Sequence, residues 1–114
     1  MSNLEGEGIY TWGLNDEGQL GHTEDPRMPN LVKSLLGKQV TQIACGAHHT
    51  LALLDNGWVY GWGWNSQGQL GFTSQKNNVC IGAPKRIDAL SSISVSDICC
   101  GNTHSAALTG NTMI

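Results

Sequence analysis

The sequence predicts an all-β protein built from β-propeller blades, and three observations carry that prediction. The first is self-similarity. "IYTWGLNDEGQLG", beginning at Ile9, returns as "VYGWGWNSQGQLG", beginning at Val59, with eight identities in thirteen positions. The second is a further matched pair: "IACGAHHTLAL" (Ile43 to Leu53) returns as "ICCGNTHSAAL" (Ile98 to Leu108). The offset grows from 50 to 55 residues because the loop after Gly71 is five residues longer than the loop after Gly21. The third is that segments between turn signals are short and rich in β-branched and aromatic residues, with no run of helical periodicity. Units of about fifty residues, each with four short strands, have the period of propeller blades.

Residues 1–7 read as a leader, 8–57 as a first repeat, and 58–114 as a second repeat with the start of a third. "NLV" after Pro29 is a strand, and "NLVKSLLG" is too brief for a helix, so it reads as strand plus turn. "QVTQIAC" alternates, which places Thr41, Ile43 and Cys45 on one face. "HTLALL" and "WVYGWG" flank "DNG", whose Asn and Gly suit the positive φ of a tight hairpin turn. "LNDEGQLG" and "WNSQGQLG" are loops. In them Asn15 and Asn65 bond nearby backbone, Gly18 and Gly68 supply the bend, and Leu20 and Leu70 fill the gap between neighbouring blades. Trp12 and Trp62, being matched, are expected in blade cores. Glycines matched at 13/63, 18/68, 21/71 and 46/101 mark positive φ or close chain approach.

Charge and composition exclude several classes. The net charge is −3 with six Lys and Arg and no basic run, which is no footprint for nucleic acid. Apolar runs stop at four or five residues, so no membrane span is expected. "MSNLEGEG" lacks the basic and apolar regions of a signal peptide. The chain therefore reads as intracellular, cytoplasmic or nuclear. Cys45, Cys80, Cys99 and Cys100 are expected to be reduced, buried small residues.

The chemistry-bearing residues do not make an enzyme. Cys45, His48 and His49, with Cys99, Cys100 and His104, have zinc-ligand types at C-x3-H spacing. They are equivalent positions of successive units, expected a blade apart, so no metal is assigned. Asp97, Cys99, Cys100 and His104 are close in sequence, but neighbours along a strand face opposite ways. No nucleophile is marked, no Gly-rich loop opens a helix, and no cofactor is implied.

The pattern "YxWGxNxxGQLG" followed by "CGxxHTxAL" resembles the repeat of the regulator of chromosome condensation family, from Gly8 to Ile114. The resemblance implies a propeller, usually of seven blades. It implies a range of roles as well: nucleotide exchange on the small GTPase Ran, ubiquitin ligation, ciliary and kinase-linked scaffolds, and plant ultraviolet-B sensing. A shared fold does not choose among them. In the photoreceptor branch, Trp then Arg follow the Gly of "CG". Here Ala47 and His48, then Asn102 and Thr103, stand there. Two units cannot close a ring of seven. The chain is therefore expected either to belong to a longer propeller or to self-associate head to tail, strand 9–13 lying beside 104–109 as 59–63 lies beside 49–54.

Candidate partner contacts are residues outside the repeated pattern. Trp64 stands where the first unit has Leu14, and Trp58 where it has Gly8. Glu24, Asp25 and Arg27 lie in "HTEDPRM", and Lys76 and Asn77 in its longer counterpart "FTSQKNNVCIGA". Variable loops on a fixed scaffold carry recognition. The reading is a protein–protein interaction scaffold with protein partners, a small GTPase among the candidates. The alternative is a fragment of a guanine-nucleotide exchange factor for a Ran-like GTPase, although neither loop shows the wedge that such an exchange factor inserts.

Overall fold

The computed structural model describes residues 8–72 and 80–109. They form eight strands: β1 (Tyr10–Thr11), β2 (Asn30–Leu31), β3 (Val40–Cys45), β4 (His49–Leu54), β5 (Val59–Trp64), β6 (Cys80–Arg86), β7 (Val95–Cys100) and β8 (Ser105–Thr109). Single 3₁₀ turns at Lys33–Leu35 and Asp88–Leu90 follow β2 and β6. The "NLVKSLLG" stretch is thus a short strand and a turn. No helix among the described residues is long and apolar enough to cross a membrane, which leaves strand-built spans unaddressed.

The strands form three antiparallel sheets: β1-β2, β3-β4-β5-β6 and β7-β8. Register shows how they correspond. Tyr10 pairs with Leu31 as Tyr60 pairs with Arg86, and Val40 pairs with Leu54 as Val95 pairs with Thr109. The β1-β2 pair is therefore a copy of β5-β6, and β7-β8 a copy of β3-β4. The eight strands amount to two blades, one whole and one divided into its outer and inner halves. Both inner hairpins carry a bulge at the same place, after Val40 and after Val95. There the Thr41 hydroxyl donates to the Leu53 carbonyl at 3.2 Å, and the Ser96 hydroxyl donates to the Leu108 carbonyl at 3.1 Å. A hydroxyl at the bulge occupies a carbonyl that the broken ladder leaves over.

The apolar core lies at the two junctions between sheets. Trp62 and Ala52 of the whole blade pack on Val32 and Leu35 beyond β2. Leu51, Leu53, Val59, Leu70 and Ile87 pack on Val95 and Ile98 of β7. Strand β4 is buried along its whole length, flanked by strands on both edges and by junctions on both faces. Leu20 and Leu70 are 4% and 0% exposed, and Leu70 fills the gap toward β7 as expected. Each buried leucine of this kind contributes about 2 kcal/mol by area.

Two expectations about burial fail, that of Trp12 and that of the cysteines, and Ile43 shows the same physical reason. Trp62 is fully buried, whereas Trp12 is 59% exposed. Cys45, Cys80 and Cys99 are exposed, only Cys100 is half-buried, and all four thiols are free. Ile43 is 45% exposed, while its counterpart Ile98 is buried at 9%. Matched residues are buried only where a neighbouring sheet covers them. Among the described residues, sheet β3–β6 has a neighbour on each side, but the β1-β2 pair has no inner half beside it.

The separation expected for the Cys/His sets fails as well. Strand β7 lies against β3 and β4, and a Cβ on Gly46 would come within 2.6 Å of the Gly101 carbonyl oxygen. Equivalent inner strands converge, because wedges narrow toward a ring's axis. Among the described residues, no three His, Cys, Asp or Glu side chains are arranged to hold a metal.

Candidate interaction surface

The strands set two opposite rims. One carries the "GQLG" loops and the Cys45–His49 turn, and the other carries the Asp55–Gly57 turn and the 3₁₀ turns. Both "GQLG" loops are fixed in the same way. Asn15 Oδ1 accepts from Leu20 N, and Asn65 Oδ1 accepts from Leu70 N, each at 2.9 Å. Gln19 Oε1 accepts from Glu17 N, and Gln69 Oε1 accepts from Gln67 N, also at 2.9 Å. Gly18 and Gly68 turn the chain at φ +81° and +75°. Each loop is then latched to the next sheet: Thr50 Oγ1 donates to the Gln19 carbonyl at 2.9 Å, and Ser105 Oγ donates to the Gln69 carbonyl at 2.6 Å. Side chains on this rim stand on a rigid base.

Trp64 ends β5 on this rim. Its indole meets the His48 ring edge-on, with centroids 5.7 Å apart and planes at 80°. His48 Nδ1 lies 3.7 Å from Asp16 Oδ1 and 3.4 Å from Gln19 Nε2. Gln19 Nε2 also donates to Asp16 Oδ1 at 3.2 Å. Close by, the Cys80 thiol donates to Glu17 Oε1 at 2.8 Å. That bond, with Glu17 and Asp16 as neighbouring negative charges, pushes the Cys80 thiol up to about 11. No sequence signal singled out this Trp64–His48–Asp16–Gln19 cluster, since Asp16 and His48 are 32 positions apart.

Glu24, Asp25 and Arg27 lie in the β1–β2 loop on the same rim. Arg27 forks onto Asp25, Nε to Oδ1 at 3.0 Å and Nη2 to Oδ2 at 2.9 Å. The pair lowers the Asp25 carboxyl and raises Arg27. Asp25 Oδ1 also accepts from Arg27 N at 3.0 Å, so this pair stiffens its own loop. Glu24 remains outward, its amide donating to His22 Nδ1 at 3.1 Å. The described charged residues of this rim are Asp16, Glu17, Glu24, Asp25 and Arg27, an acidic balance.

Trp58 is on the other rim. It precedes β5 while Trp64 ends it, so six residues of strand, roughly 20 Å, separate the two indoles' backbones. Arg86 stacks over the Trp58 ring at 4.5 Å and donates from Nε to Asp88 Oδ1 at 2.9 Å. The structure therefore brings Trp64 and the Glu24–Arg27 loop to one rim and leaves Trp58 apart. Lys76 and Asn77 lie outside the described residues.

A model of the regulator of chromosome condensation (RCC1) repeat matches residues 7–53 and again 56–108, and a second RCC1-repeat model matches 40–69. The chain belongs to the RCC1-repeat family. Its RCC1 repeats are 38% identical over 108 residues to the ultraviolet-B receptor UVR8 of Arabidopsis thaliana, covering 93% of this chain and 24% of the receptor. They are 43% identical over 104 residues to the probable E3 ubiquitin-protein ligase HERC4 of Rattus norvegicus, covering 89% of this chain and 10% of that protein. Among solved structures, human WBSCR16 superimposes with a TM-score of 0.75 at 25% identity, over 92% of this chain and 27% of that one. Yeast RCC1 (Prp20), solved bound to Kap60, gives 0.71 at 27% identity, over 88% and 23%. The RCC1 repeats here thus span about a quarter or less of each relative.

Proposed function

We propose that this pair of RCC1 repeats is a protein–protein interaction module whose contact surface is the acidic rim around Trp64. The observation that carries this reading is the Trp64–His48 edge contact, held by Asp16 and Gln19 on the loop that the Asn15 bond fixes. A large, half-buried aromatic on a rigid base, with the Asp16 and Glu17 carboxylates one contact away through His48 and Cys80, suits a partner segment that brings a cationic side chain to an apolar one. Asp16, Glu17 and Glu24 supply the complementary charge, while Trp64 supplies contact area. Four free thiols accord with an intracellular setting.

The test compares rims. Partners captured from cells of the source organism are quantified for the native chain, for Trp64→Ala with Asp16→Asn, and for Trp58→Ala. A partner lost with the first variant and kept with the second supports the acidic rim. Equal capture by all three removes it.

A second reading, a contribution to guanine-nucleotide exchange on a Ran-like GTPase, is favoured by the superposition on yeast RCC1. Accelerated nucleotide release from such a GTPase, added to the purified chain, would establish this reading over the first. A receptor of ultraviolet light is not proposed: Ala47, His48, Asn102 and Thr103 stand where that branch carries Trp and Arg.

A further inference from the structure

We infer that the rim opposite Trp64 takes a second kind of partner, an acidic segment whose carboxylate docks on Arg86 beside Trp58. Leu54 N donates to the Trp58 carbonyl at 2.9 Å, so the β4-β5 ladder runs on through Trp58. Trp58 and Tyr60, two residues apart on extended chain, therefore stand on one face of the sheet. Arg86 is in register with Tyr60 across β5 and β6 and lies on that face too. Its guanidinium carbon is 4.5 Å from the centre of the Trp58 ring. Lys38, just beyond the first 3₁₀ turn, sets Nζ 5.7 Å from the centre of the Tyr60 ring. Two cations thus lie over two neighbouring aromatic rings. The face looks onto the junction where Tyr60 packs beside Val32 and Leu35. Both walls of that junction belong to this chain, so the arrangement does not depend on the outer edges of β1 and β8.

The fold does not ask for these residues. The register that makes β1-β2 a copy of β5-β6 sets Gly8, Leu31 and Lys33 at the positions of Trp58, Arg86 and Asp88. In the first unit Gly8 and Leu31 close on each other, since a Cβ on Gly8 would come within 2.6 Å of Leu31 Cδ1. In the second unit all three positions differ, and together they supply a cation, an aromatic bed beneath it and a carboxylate at its side.

Arg86 offers an oriented set of donors. Asp88 Oδ1 accepts from Nε at 2.9 Å, and the indole sets the plane of the group. Nη1 and Nη2 have no acceptor among the described residues, and the Arg86 side chain is 37% exposed. A guanidinium held in this way forks onto an incoming carboxylate with little rotamer freedom left to lose. Lys38 adds a second positive charge. The uncovered part of the Trp58 ring gives an apolar neighbour of the acid a surface to lie on. Around this rim Lys33, Lys38 and Arg86 outnumber Asp55 and Asp88, whereas the Trp64 rim is acidic. Charge complementarity selects the occupant: an acidic segment is drawn to the Trp58 rim and repelled from the other.

The test titrates the purified chain with a short capped peptide of glutamates around a leucine, followed by the indole N–H signals in NMR. Saturable movement of the Trp58 signal is expected, with the glutamine counterpart of the peptide binding about tenfold more weakly or worse. Arg86→Gln should weaken the acidic peptide about tenfold, and Trp64→Ala should leave its binding unchanged. If Arg86→Gln does not fold, Lys38→Gln is expected to weaken binding about threefold. Equal binding of the glutamine peptide would assign the face to an apolar partner, and tighter binding of a lysine counterpart would assign it to a cationic one. Either result overturns the acidic occupant. A Trp58 signal that stays in place, or binding indifferent to the Arg86 and Lys38 changes, would overturn the site.

Discussion

The indole of Trp62 lies across Gly21 with no space for a methyl group between them. A Cβ at Gly21 would come within 2.8 Å of Trp62 Nε1 and 3.1 Å of its Cδ1, and the backbone there has φ +77°. Gly71 has the same φ of +77°, but among the described residues a Cβ there would meet only Ile87, at 3.3 Å. Both alanine substitutions carry the left-handed strain of roughly 1–2 kcal/mol. Gly21→Ala must also displace a buried indole, roughly 1–3 kcal/mol more. Urea unfolding should therefore find Gly21→Ala the more damaging of the two. Equal losses would show that the indole does not constrain Gly21.

Gln69 and Gln19 differ in what their amides reach. Gln19 Nε2 finds Asp16 and His48, whereas Gln69 Nε2 is buried with no partner among the described residues. Ser66 and Thr103 stand where the first unit has Asp16 and His48. Ser66→Asp restores an acceptor, and a gain of about 0.5–1.5 kcal/mol in unfolding free energy is expected. The same change in a Gln69→Leu background should give no gain.

His49 is 1% exposed, and burial lowers its pKa from the ordinary 6.5, with His104 and His48 adding like charge. As pH falls, the unfolded chain takes up this proton before the folded one does. The stability tied to neutral His49 is thus complete above about pH 6.5 and is lost progressively toward the lower folded value. His49→Gln, which keeps a polar group near Ser105, should flatten the fall in unfolding midpoint between about pH 7.5 and 5.5. An unchanged slope would assign the pH dependence to other groups.

With its pKa near 11, the Cys80 thiol holds little thiolate at neutral pH although its side chain is exposed. Removing the Glu17 charge by Glu17→Gln should raise its alkylation rate at pH 8 about tenfold or more, read by mass spectrometry of the Cys80 peptide. An unchanged rate would mean that the 2.8 Å bond to Glu17 does not persist in solution.

Local chemistry was legible in the sequence, and coverage by neighbours was not. Asn15 and Asn65 bond within their own loops, so their role follows from nearby residues alone. Leu20 and Leu70 are also both buried, since each loop is latched to a following sheet. Trp12 and Trp62 share a motif yet differ in exposure, because burial of an indole depends on which sheet lies over it. Cys45 and Cys100 were expected a blade apart from linear spacing, which carries no information about strands converging toward an axis. The Trp64–His48–Asp16 cluster was hidden for a related reason: it joins a loop of one unit to residues beyond two further strands.

The turn at Asp55–Gly57 has an evolutionary consequence. The family match resumes at residue 56, inside the whole blade, so each unit supplies the outer half of one sheet and the inner half of its successor. Copying any fifty-residue span in tandem therefore inserts one complete spoke, with edges that already mesh on both sides. A gene of this type can lengthen or shorten by whole units without inventing a new contact surface, which suits a family whose members differ so widely in size.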